Sequence, residues 1–242
     1  MTLLQMSITR ALTVYVAQGL VCVFFIFLAY KILKRDRKRL NIIFSGFYLS
    51  GAFGLLINFI YAPLDPQDFE TTILFLNYLT NFGIFYSPIF LVVFDLILLK
   101  SEKVITPFKQ LLIFIIYGIA MFCMIFFVYV EGIGVEIDPE TWSPVWNPAF
   151  FIYLLIIESI ATGLFFYLSF LIYQKFEDDQ LRKKWKFFIF GAAALIIFMY
   201  GIFVSNTLNE PTFRLVMGAT GLILAIVGGY LMFNGVGRQL EK

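Results

Sequence analysis

Long unbroken apolar runs, cut by short polar stretches, set the pattern of this chain. Crossing about 30 Å of hydrocarbon takes roughly 20 apolar residues in a helix. Seven segments reach that length, and the pattern predicts helices over about 11–33, 40–61, 72–99, 108–130, 149–173, 187–208 and 212–233. Within each run the apolar residues are continuous, not alternating, which excludes a closed barrel. The expected fold is an all-α membrane protein, a seven-transmembrane-helix bundle forming one transmembrane domain over residues 1–242. The first run is too long for the apolar core of a cleavable signal, and further spans follow it directly.

Composition agrees: 61% of the chain is hydrophobic and 14% charged, against about 45–50% and about 25% in soluble domains. Charge then sets orientation. Sixteen of the eighteen lysines and arginines fall after the first, third and fifth helices and in the tail: the cluster from Lys31 to Arg39, then Lys100, Lys103 and Lys109, then Lys175 to Lys186, then Arg238 and Lys242. Only Arg10 and Arg214 fall on the other side. By the positive-inside rule the N-terminus is outside and the C-terminus cytoplasmic, in a multi-pass protein of the cell membrane. The basic loop KILKRDRKR is expected to lie against anionic headgroups. The outer connections are acidic, in PLDPQDFE and EGIGVEIDPETWSPVWNP, where Trp142 and Trp146 are read as an interfacial aromatic anchor. Whether that longer loop also caps a pocket is open.

Little in the chain carries catalytic chemistry. There is no histidine, which removes most zinc chemistry, and Cys22 and Cys123 lie inside apolar runs as small packing residues. No metal, cofactor or nucleic acid is implied, and an enzyme is not expected. Packing signals are clearer. Gly46, Ser50 and Gly54 in the second helix, and Gly221, Ala225 and Gly229 in the seventh, form small-residue faces at four-residue spacing. Such faces let helices approach closely in lipid, within one chain or in a homo-oligomer. GAAA at 191–194 points to another close contact, and Ser87-Pro88 predicts a kink in the third helix.

Two acids lie inside apolar runs. At about 1.5 Å per residue, Glu158 falls roughly 14 Å below the outer boundary, near the midplane. Asp95 falls roughly 6 Å from the cytoplasmic edge, about 13 Å from Glu158 along the normal, too far for a proton-sharing dyad. Asp95 is within snorkelling reach of Lys100 or Lys31. Glu158 has no basic residue at its depth, so it is expected to stay protonated or to pair with polar groups of other helices. Asn58, Asn77, Tyr78, Asn81, Ser205, Asn206 and Thr220 occupy the outer half, and Arg214 lies just inside the outer boundary. Asn77 and Asn81 are one turn apart and share a face. These groups suggest a polar outer cavity contacted by Glu158, Asn58, Asn77, Asn81, Asn206 and Arg214. Interhelical hydrogen bonds that merely hold the bundle are the competing reading.

The topology matches rhodopsins and G-protein-coupled receptors, but the seventh helix has no retinal lysine and the receptor motifs are absent. NYLTNFGIFYSPIFLVVFDLILL (77–99) resembles the third helix of the seven-helix sensor region at the N-terminus of microbial histidine kinases. The short loops and basic first inner loop are also similar. In those kinases the seventh helix runs on into a transmitter domain, whereas this chain ends at GVGRQLEK. The resemblance implies a sensor or receptor-like module that signals through a cytoplasmic or membrane partner. Two alternatives stay open. One is a small-molecule or proton-coupled transporter using Glu158 and Asp95, with Tyr48, Tyr117, Tyr167 and Ser169 along its path. The other is a structural subunit of a membrane complex.

Overall fold

A helix satisfies all its interior backbone groups within itself, which is the condition an apolar environment imposes. The computed structural model describes residues 8–237. Among these, seven helices are long and apolar enough to cross a membrane: α1 (Leu12–Arg35), α2 (Arg39–Tyr61), α3 (Pro66–Lys100), α4 (Pro107–Val128), α5 (Pro148–Lys175), α6 (Asp179–Leu208) and α7 (Pro211–Val236). Arg238 and Lys242, counted in the charge pattern, lie outside the described residues. The helices are consecutive neighbours around a ring of α1, α2, α3, α5, α6 and α7, which closes from α7 back to α1. Helix α4 stands outside it, against α3 and α5.

Two helices start well before their apolar runs. Asp65 caps α3 by accepting from the Gln67 N–H, with Pro66 in the first turn, and Asp178 caps α6 by accepting from the Gln180 N–H. A capped first turn needs no apolar residues, so hydropathy alone set these starts late, at about 72 and 187.

The small-residue faces pack within the chain. A methyl on Gly54 would meet the Thr80 carbonyl at 2.6 Å, and one on Gly83 would meet the Gly54 nitrogen at 2.8 Å, so α2 and α3 touch backbone to backbone. Gly191 and Gly228 make the same kind of contact between α6 and α7. The proline break appears where expected, between Phe85 and Pro88. Three carbonyls at the break are met by hydroxyls: Gly83 by Ser50, Ile84 by Ser87, and Phe85 by Tyr117.

The α4–α5 connection carries a short antiparallel hairpin, β1 (Val135–Ile137) with β2 (Pro144–Trp146), in which Val135 faces Trp146 and Ile137 faces Pro144. The hairpin corrects one expectation. Trp146 is no interfacial anchor: it is 1% exposed and packs edge-on against Phe85 and Phe150 and tilted against Phe203. A strand ending directly over the bundle turns that ring inward, which loop composition does not reveal. Trp142 stays half-buried, with a left-handed backbone (φ 58°) in the turn.

Candidate functional site

At the end of the bundle that carries the acidic connections, α1, α2, α3, α6 and α7 draw apart beneath the hairpin. The cavity between them has a volume of about 500 Å³. Among the residues expected from sequence, Asn58, Asn77, Asn81, Ser205, Asn206 and Arg214 all line it. Asn77 and Asn81 do share a face: the Asn81 amide donates to the Asn77 carbonyl oxygen at 3.0 Å, and the Asn77 amide donates to the Tyr61 hydroxyl at 2.9 Å. Asn58 donates to Gln18 across the α1–α2 contact. The cavity wall is therefore a ladder of carboxamides and hydroxyls, each able to donate and to accept.

The charged groups at the mouth are engaged with the hairpin. Arg10 donates to the carbonyls of Thr141 and Trp142 and to the Ser143 hydroxyl. Arg214 reaches up to the hairpin, donating to the Pro144 carbonyl at 2.8 Å and to the Ser205 carbonyl at 3.3 Å. Asp138 accepts from the Asn209 amide and from the N–H groups of Glu140 and Thr141. The Asn209 hydrogen bond, with the Thr141 N–H second, holds the Asp138 carboxyl below its ordinary value. Burial pulls the Arg10 guanidinium down from its own.

Glu158 is not part of this cavity. It is 1% exposed on the face of α5 turned toward the α3 break, where Tyr117 lies 3.2 Å from Oε2. Oε1 has no hydrogen-bond partner among the described residues. Tyr117 links it to the carbonyl of Phe85, next to Ile84 of the cavity lining, but Glu158 itself does not face the cavity. Asp95 also departs from expectation. It is 0% exposed and accepts from Ser169, whose carbonyl in turn accepts from the Trp185 indole at 2.9 Å, so it does not snorkel toward lysine. Ser169 lies eleven residues beyond Glu158 on α5, about 16 Å along the axis, so the two acids stay apart as expected. Tyr78 packs among Phe75, Phe82 and Phe122, and Thr220 bonds back to Val216 on its own helix. Tyr167 is 60% exposed on the outside of the bundle and lines no internal path.

Sequence reasoning missed Arg10, Gln18, Tyr61 and Thr80, which also line the cavity. Gln18 and Thr80 carried a readable signal, as polar residues inside apolar runs at the same end as Asn58 and Asn77. Arg10 carried another, as one of two basic residues on the acidic side.

Compared with known proteins, the chain matches no family model, no curated protein and no solved structure.

Proposed function

We propose that this chain is a receptor-like membrane module that binds a small molecule in the cavity beneath the hairpin and signals through a partner at its basic end. The N-terminus and hairpin are placed outside and the basic connections in the cytoplasm, by the lysine and arginine bias. The observation that carries the reading is the cavity, because its lining comes from five helices and the hairpin at once. A ligand touching all of them would favour one helix arrangement over another by its differential contacts. The basic half is closed by packed rings: Phe44, Phe94 and Phe188, from α2, α3 and α6, meet at centroid distances of 5.3–5.9 Å. That layer supports a sensor over a carrier. The resemblance of 77–99 to kinase sensor helices points the same way.

The test is ligand-dependent stabilisation of the full chain in lipid nanodiscs, with amide hydrogen exchange followed in the basic connections. Stabilisation that disappears when Ala17→Phe fills the cavity, with altered exchange around residues 176–182, is the expected outcome. Stabilisation unaffected by Ala17→Phe would sink the reading. A carrier is the second reading, favoured by one oxygen on each of Glu158 and Asp95 that has no partner among the described residues. It requires pH-driven flux in proteoliposomes that Glu158→Gln abolishes.

A further inference from the structure

The cavity is layered, and the layers specify a ligand. On each of the five helices, the lining residue farthest from the acidic end is apolar: Val21 on α1, Leu55 on α2, Ile84 on α3, Phe198 on α6 and Leu222 on α7. These form the floor. Above it, Gln18, Asn58, Asn77, Thr80, Asn81 and Ser205 form a belt of uncharged donors and acceptors. Charge is confined to the mouth, where Arg10 and Arg214 fasten the hairpin and Asp138 binds its own turn and Asn209.

Thr80 carries an unmet hydroxyl among the residues of the belt. It is 5% exposed, lies between Asn77 and Asn81 on the wall, and its hydroxyl has no hydrogen-bond partner among the described residues. A buried hydroxyl without a partner is costly, so a ligand that supplies one gains specificity as well as affinity. A charged ligand gains no such match: its ion would lose water against carboxamides and hydroxyls of no net charge.

We propose that the cavity takes an uncharged amphipathic molecule, with an apolar end on the floor and an amide- or hydroxyl-bearing part in the belt beside Thr80, in preference to the matching acid or amine. This rests on the reading of the cavity as a ligand site.

Three probes on one phenylpropyl skeleton test it: 3-phenylpropanamide, 3-phenylpropanoate and 3-phenylpropylammonium, titrated into the full chain in nanodiscs and into Thr80→Val and Ala17→Phe. The amide is expected to bind at least about tenfold tighter than either ion, about 1.4 kcal/mol. Thr80→Val should weaken the amide about five- to tenfold while leaving the ligand-free melting temperature equal or higher, since it removes an unsatisfied hydroxyl. Ala17→Phe should abolish binding. An ion that binds as tightly as the amide, or amide binding unmoved by Thr80→Val, overturns the ligand class. The cavity reading survives either result if Ala17→Phe still blocks the probes. Failure of all three probes to bind, or binding indifferent to Ala17→Phe, overturns both.

Discussion

Tyr117 has one hydroxyl hydrogen and two oxygens within reach, the Phe85 carbonyl at 3.0 Å and Glu158 Oε2 at 3.2 Å. A carboxylic acid at 158 satisfies both, giving its hydrogen to Tyr117 while Tyr117 gives its own to Phe85. A glutamine amide can make the same donation. Glu158→Gln is therefore expected to change the unfolding free energy of the full chain in micelles by less than about 1 kcal/mol. Glu158→Ala removes the partner and leaves a void, at a cost of about 2–4 kcal/mol. Equal losses in the two variants would show that the carboxyl acts in a way an amide cannot reproduce. The same residue shows what sequence can and cannot fix. Counting residues along α5 gives it an expected height, because rise per residue is constant. The neighbours a side chain meets depend on how the helix is rotated, and that is set by packing against α3 and α4. Asn77 and Asn81 escaped the difficulty because their one-turn spacing carried direction within the sequence itself.

Helix α3 joins the cavity to the bundle core. Ile84 lies on the cavity floor, while its neighbour Phe85 packs on Trp146 and Phe203 and gives its carbonyl to Tyr117. Pro88 made the break legible, since proline takes away a donor wherever it stands in a helix. The hydroxyls that stabilise it were not legible, because Ser50 and Tyr117 come from helices remote in sequence. With those hydroxyls in place the break no longer depends on the proline, so Pro88→Ala is expected to cost less than about 1 kcal/mol. Ser50→Ala should cost about 1 kcal/mol, the scale of an interhelical hydrogen bond in lipid. Gly54→Ala pushes the α2 and α3 backbones apart and should cost more than about 2 kcal/mol. Unfolding of the three variants under one condition checks the order; a Pro88→Ala loss as large as that of Gly54→Ala would show that the break is held by the proline.

At the scale of the molecule, the hairpin is what separates a covered cavity from an open bundle. Its turn is gripped by Arg10 ahead of α1 and Asn209 between α6 and α7, and the start of β2 by Arg214 on α7. Seven helices and their order could be read from hydropathy, but a covering piece three residues wide per strand has no periodicity to read. Its attachment should depend on pH through Asp138. The hydrogen bonds from Asn209 and the Thr141 N–H hold that carboxyl below its ordinary value of 3.8. A depressed carboxyl contributes stability that is present above its unfolded value and lost as pH falls through the folded one. The hairpin should therefore stay closed from neutral pH down to about 4 and loosen only below that, as Asp138 gains its proton. Quenching of Trp146 fluorescence by acrylamide, in a background carrying Trp142→Phe and Trp185→Phe, is expected to stay flat above that range and rise beneath it. In Asp138→Asn the acid-dependent step should disappear and quenching should be higher at neutral pH, because the acceptor for Asn209 is weakened at every pH. An unchanged acid step in Asp138→Asn would assign the titration to another carboxyl.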